Sequence, residues 1–204
     1  MTDDSYFDDI LSDYVDKSPF PLDPGQRPGT AEGVARLSEL ASAFSCPVRT
    51  AAASVFAYAL SRFIGSRDVV FTVSEDGRRF PIRVDCGDKD AEEFVSSVGE
   101  AIGKASATKI SFSQEDFERY DIGQDVVFGE LRTDERTNLA FRNDGDSVSL
   151  YHSSRVSEKT AGRFWKSAGR WRRGSSREEG CRPLTIWIRR TWSCWTLSTT
   201  TSRK

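Results

Sequence analysis

The residues of this sequence that could do chemistry are few, and their spacing matches no catalytic or metal-binding motif. There is one histidine, His152, and there are four cysteines, Cys46, Cys86, Cys181 and Cys194. A zinc site needs a cluster of nitrogen and sulfur ligands, which one imidazole and widely spaced thiols do not supply. The motifs of phosphate-binding loops, zinc proteases and serine hydrolases are also missing from the sequence. We expect Cys46 and Cys86 to fill small apolar spaces or to lie exposed at strand ends, and no bound metal or cofactor is predicted.

His152 and the pair formed by Arg78 and Arg79 each allow a structural and a functional interpretation. His152 lies at the end of a predicted strand, so a hydrogen-bonded structural imidazole is expected there. The alternative is a general base, since an imidazole can take up a proton near neutral pH. Arg78 and Arg79 follow the turn residues Asp76 and Gly77, where local charge pairing explains them; the alternative is a substrate-binding pair.

The elements that would position these residues alternate between helices and strands. Periodic apolar residues predict helices over residues 5–16, 30–44, 48–63, 91–105 and 113–120, and from residue 157 onward. Runs of β-forming residues predict strands over residues 68–74, 80–85, 125–131, 138–142 and 147–152. This order predicts an α/β fold, a two-layer sandwich built on a mixed β-sheet.

Local signals fix several of these boundaries. Thr30 is the expected N-cap of the second helix, and Gly65 provides a left-handed exit from the third. Ser113 and Asp116 form a potential capping box. Pro81 argues that its strand is an edge strand or begins at this residue.

Charge divides the chain near residue 166. Residues 1–166 contain 20 Lys and Arg against 29 Asp and Glu, whereas residues 167–204 contain 9 against 2 and four of the five Trp. The predicted organisation is therefore an N-terminal helix with a Pro-rich crossing segment (1–29), a folded lobe (30–167) and a basic, Trp- and Arg-rich tail (168–204) that is disordered or read out of frame. Nucleic-acid binding by the tail is the alternative, and we consider it the weaker one.

Targeting signals are not found. The acidic start of the sequence lacks the basic and apolar regions of a signal peptide, and no run of about 18 apolar residues predicts a membrane span. A cytoplasmic protein without membrane contact is expected.

The segment from Arg49 to Arg78 resembles the condensation domains of nonribosomal peptide synthetases. A helix ending in the Leu-Ser-Arg-Phe-x-Gly turn at Gly65, an Asp-Val-Val strand beginning at Asp68, and a loop closing on Gly77-Arg78 carry the resemblance. It continues weakly over about residues 5–167. All of the matched part is similar to the second, C-terminal lobe of that family, which has a two-lobed fold like chloramphenicol acetyltransferase.

The resemblance implies an amide-forming acyl transfer between phosphopantetheine-linked substrates held on carrier proteins. It also implies a paired-histidine motif on the first lobe, and this sequence contains no such pair. No catalytic residue is therefore transferred; Gly65, Asp68, Gly77 and Arg78 are expected to be structural. The longer segment that the family has after Arg78 is also missing.

Three functional readings follow. The first is a condensation-domain fragment that is inactive alone. The second is an interaction module that docks on a carrier protein or on a separate first lobe. The third is a free-standing acyltransferase that uses His152. In each of the first two, apolar surface meant for the other lobe is expected to be exposed.

The tail allows one more prediction. Reread one base earlier, with free third bases, residues 185–201 can encode a stretch similar to the acidic boundary between condensation and adenylation domains. We therefore expect the reading frame to be shifted after about residue 167.

Overall fold

The computed structural model describes residues 4–14, 20–24, 27–123, 125–130 and 136–168. The helices in these ranges are α1 (Asp4–Leu11), α2 (Leu37–Ala43), α3 (Val48–Ile64), α4 (Ala91–Ala107), α5 (Gln114–Arg119) and α6 (Glu158–Ala168). The strands are β1 (Gly29–Val34), β2 (Asp68–Glu75), β3 (Arg78–Asp85), β4 (Val126–Gly129), β5 (Leu139–Asp144) and β6 (Ser147–His152).

The six strands form one mixed sheet in the order β1-β6-β5-β4-β2-β3. Strands β2, β4 and β5 run parallel to one another, whereas the β1–β6, β5–β6 and β2–β3 pairs are antiparallel. The α/β fold with a mixed sheet predicted from the sequence is thus confirmed.

The core lies between the sheet and α3. The ring of Phe56 on α3 has its centroid 5.2 Å from that of Phe71, 5.5 Å from Phe141 and 5.7 Å from Phe164. Five alanines of α3 are fully buried, and their small side chains let the helix approach its neighbours closely. Each of these aromatic pairs contributes about 0.5–1.5 kcal/mol beyond the area it buries.

The β2–β3 hairpin turns on two residues with left-handed backbone, Asp76 (φ 49°) and Gly77 (φ 76°). Two consecutive residues of this kind match the right-handed twist of the paired strands. Strand β3 is the last strand of the sheet, and the N–H of Arg79 points away from β2, donating to Ser111 Oγ at 3.1 Å. The nitrogen of Pro81, two residues later, faces the same outer side, so its missing N–H costs no ladder bond. The predicted edge position of Pro81 is confirmed.

The helix predicted from Thr30 is wrong over its first part. Residues 29–34 form β1, which pairs antiparallel with β6 in a register that places Thr30 opposite Tyr151 and Ala31 opposite Leu150. The helix begins only at Leu37. Pairing with β6 satisfies the backbone groups of β1 that face β6, and the two glycines of this segment weaken any helix there.

Other local predictions are confirmed. Gly65 has φ 79° and caps α3, its N–H donating to Ser61 O at 2.9 Å. Ser113 and Asp116 form the reciprocal capping box of α5. Ser157 Oγ accepts from the N–H of Thr160 in the first turn of α6.

Apolar exposure is smaller than we expected. Among the described residues the exposed large hydrophobic side chains are Leu22 and Val34, with 55% and 57% of their surface accessible. They lie apart, since Val34 pairs with Ser147 at one end of β6 whereas Leu22 precedes Asp23, which hydrogen-bonds Arg155 beyond the other end. The predicted broad apolar surface is therefore not found on the described part of the chain. The predicted tail, beyond Ala168, lies outside the described residues.

Candidate functional site

A cluster of polar side chains surrounds Arg83 on β3. Its Nε lies 2.9 and 3.0 Å from the two carboxylate oxygens of Asp68, and one terminal nitrogen lies 2.7 Å from Asp68 Oδ2. The other terminal nitrogen donates to Ile10 O at 2.9 Å and pairs with Asp13. The guanidinium also lies 5.4 Å from the ring centroid of Tyr14. Arg83 therefore ties the end of α1 and the residues after it to the β2–β3 hairpin.

The charges in this cluster stabilise one another. Hydrogen bonding from Arg83, followed by its charge, holds the pKa of Asp13 below its ordinary value. The hydrogen bond to Asp68 is the main cause that raises the pKa of Arg83. Both groups are thus charged at neutral pH, and the guanidinium is already engaged by two carboxylates.

A cleft of about 570 Å³ opens beside this cluster. Its lining consists of Asp9, Ile10, Asp13, Asp68, Arg83, Val84, Asp85, Lys89 and Ser97. Neither histidine nor cysteine is among these residues, and Arg83 is already paired. The cleft therefore offers carboxylates to solvent, and its lining contains no imidazole or thiol.

His152 lies at the end of β6, as the sequence predicts, and is 5% exposed. Its Nδ1 lies 2.9 Å from the carbonyl oxygen of Val156; since a carbonyl only accepts, this nitrogen carries the hydrogen. The other nitrogen, Nε2, faces Gly29 of β1 so closely that a Cβ added to Gly29 would lie 2.7 Å from it. This geometry favours a structural imidazole, because Nδ1 is held by a backbone carbonyl and the residue is almost completely buried.

The four residues expected to be structural lie along the β2–β3 hairpin or just before it. Gly65 ends α3, Asp68 begins β2, and Gly77 forms the turn. Arg78 donates to Ser106 O at 3.1 Å and to Ser106 Oγ at 3.3 Å. These contacts bind the hairpin to the end of α4.

The hairpin residues and His152 are not brought together. Strand β6 is separated from β2 by β5 and β4, and neighbouring strands lie about 4.8 Å apart, so about 14 Å separates the two strands. The residues singled out in the sequence therefore do not form one active site.

The two described thiols are poor nucleophiles. Burial raises the pKa of Cys86 to about 12 and also raises that of Cys46. Both are therefore protonated at neutral pH, and the thiolate is the reactive form. Within the described ranges no group of three or more metal-ligating side chains is found.

The sequence did not predict the contact that holds the crossing segment. Asp23 accepts hydrogen bonds from Ser157 Oγ at 2.6 Å and Thr160 Oγ1 at 2.9 Å, and its N–H donates to Arg155 O. These bonds hold the pKa of Asp23 below its ordinary value. Phe20, which lies in the same segment as Asp23, stacks on Phe63 of α3. Partners more than 100 residues apart leave no local signal, so such a contact appears only in the folded chain.

No described helix is by itself long and apolar enough to cross a membrane, and α2 and α3, bent by 102° from each other, meet that test only as a pair.

Comparison with known proteins identifies the fold. Neither a protein-family model nor a curated protein matches the sequence. Among solved structures, the X-domain from teicoplanin biosynthesis matches with a TM-score of 0.63 and 17% identity, over 82% of this chain and 52% of that one. The X-domain in complex with OxyB matches with a TM-score of 0.62 and 19% identity, over 82% of this chain and 51% of that one. A third match is the first condensation domain of the calcium-dependent antibiotic synthetase in complex with a substrate analogue. Its TM-score is 0.61 and its identity 17%, over 82% of this chain and 50% of that one.

These likenesses show the fold of a condensation-type domain. The chain spans about half the length of the structures it matches. The condensation-type fold that the sequence resemblance implies is therefore confirmed, as is the α/β class with a mixed sheet.

Proposed function

We propose that this chain supplies the second lobe of a nonribosomal peptide synthetase condensation domain. By itself it forms no amide bonds, because its condensation-type fold spans only about half the length of such domains. The observation that carries the proposal is the position of His152. It is the one imidazole in the sequence, and it is 5% exposed with Nδ1 held by Val156.

The chemistry explains why this position matters. Attack of an amine on an acyl thioester produces a positively charged nitrogen, which must lose a proton to a positioned acceptor. Of the described groups, the Cys46 and Cys86 thiols are protonated near neutral pH, and the Asp13 and Asp68 carboxylates are engaged by Arg83. This supports a lobe that depends on another polypeptide for its catalytic groups.

The partners that fit the proposal are a first lobe carrying the paired histidines and carrier proteins with phosphopantetheine-linked substrates. The crossing segment supports the first of these. Asp23 fixes this segment to α6, while the neighbouring Leu22 remains 55% exposed. In the proposed assembly, Leu22 is buried against the first lobe.

The test is reconstitution. The purified chain is mixed with acyl- and aminoacyl-loaded carrier proteins, with and without a separately produced first lobe, and amide formation is followed by mass spectrometry. We expect product only with the first lobe. Product from the chain alone would overturn the proposal, and its loss in His152→Ala would then identify the free-standing acyltransferase.

Two substitutions with matched exposure locate the interface. Leu22→Glu should abolish association with the first lobe in sedimentation experiments, whereas Val34→Glu, at a side chain of equal exposure, should leave it unchanged. Equal loss in both variants would contradict a specific contact at the crossing segment. Circular dichroism of each variant checks that it remains folded.

A second candidate function is docking without catalysis. It is favoured by the fold match to the X-domain, a domain whose structure was solved in complex with OxyB. Under this proposal the chain binds a carrier protein or first lobe, but the mixture forms no amide. The reconstitution experiment separates the two functions, because binding is measured independently of product.

We also propose that the residues after about 167 are translated in a shifted frame. Support comes from the change of charge and Trp content at this point. Sequencing the gene and its downstream DNA tests this. Finding no synthetase-like sequence in any downstream frame would contradict it.

A further inference from the structure

We draw no further inference here: the strongest candidate, the pair of buried hydroxyls of Thr72 and Ser74 on the face of β2 that points away from α3, carries nothing, because they are closed off from solvent and nothing in the structure shows which group would meet them.

Discussion

At the scale of single residues, His152 joins β6 to the segment before α6. Replacing it with alanine removes the hydrogen bond to Val156 and leaves the buried Val156 carbonyl without its partner. It also opens a cavity beside Gly29. We expect His152→Ala to lower the free energy of unfolding by about 2–4 kcal/mol, measured by urea denaturation.

Ser149→Ala is the matched control for this prediction. Ser149 lies on the same strand but is on the opposite face, where its side chain is half-buried. Its replacement should change stability by no more than about 0.5 kcal/mol. A His152→Ala variant as stable as the parent chain would show that the imidazole is not structural, and the general-base interpretation would regain support.

The pairing of Asp13 with Arg83 predicts a dependence on pH. The pKa of Asp13 is lower in the folded chain than its ordinary value of 3.8. Its contribution to stability is therefore complete above that value and is lost as the pH falls through the lowered pKa. We expect Asp13→Asn to be less stable than the parent chain at about pH 6, with the difference shrinking as the pH is lowered from there toward about pH 2.

Asp9→Asn is the control, since Asp9 is exposed on α1 and forms no ion pair with a described residue. Urea midpoints for the three proteins over this pH range are the measurement. A gap between the parent chain and Asp13→Asn that is as large at the lowest pH as at pH 6 would show that the pair does not act through the charge of Asp13.

The polar cluster around Arg83 could not be predicted from the sequence. Arg83, Asp68 and Asp13 are ordinary surface residues in the sequence, separated by 15 and 70 positions. They meet because the hairpin register brings Arg83 beside Asp68 while α1 packs nearby. The position of His152 at a strand end was predicted. Its carbonyl partner, Val156, lies between β6 and α6, and the neighbouring Gly29 lies on β1; neither contact was predicted.

At the scale of elements, the β2–β3 hairpin depends on the backbone of its turn. Gly77 has φ 76°, a conformation that costs a residue with a side chain about 1–2 kcal/mol. We expect Gly77→Val to lower the free energy of unfolding by about this amount. Thermal denaturation followed by circular dichroism provides the measurement.

Gly103 provides a control of opposite sign. It is exposed within α4, and an added Cβ would meet nothing within 4 Å. Gly103→Ala should therefore raise the free energy of unfolding by about 0.5–1 kcal/mol. If both replacements destabilise the chain equally, the left-handed turn at Gly77 is not the cause of the first effect.

The misassigned helix at Thr30 shows which elements local patterns predict. Helix α3, with its apolar face and Gly65 exit, and strands β5 and β6, with their runs of β-forming residues, have strong local signals, and all three were predicted. The residues of strand β1 have only a weak local preference for strand. Val34 lies three residues before Leu37, so it fits the apolar spacing of the helix that begins at Leu37. The structure of β1 comes from pairing with β6, more than 110 residues away. Non-local pairing decides the structure where local preference is weak.

At the scale of the whole molecule, α6 closes the fold. It buries Phe164 and Trp165 against the aromatic cluster around Phe56, and it packs beside α3. Each buried aromatic side chain contributes about 1.5–3 kcal/mol. The folded lobe is therefore expected to require α6, and the proposed shift of reading frame predicts that it requires no residue beyond Ala168.

Two shortened chains test this boundary. A chain ending at Ala168 should have the same free energy of unfolding as the full chain within about 0.5 kcal/mol, because every described contact of the lobe remains. A chain ending at Val156 should fail to fold, because removing α6 exposes the cluster around Phe56. Denaturant titration and heteronuclear NMR spectra provide the measurement. If ending the chain at Ala168 costs more than about 1 kcal/mol, the residues after it stabilise the lobe, and a tail arising from a shifted reading frame would no longer be tenable.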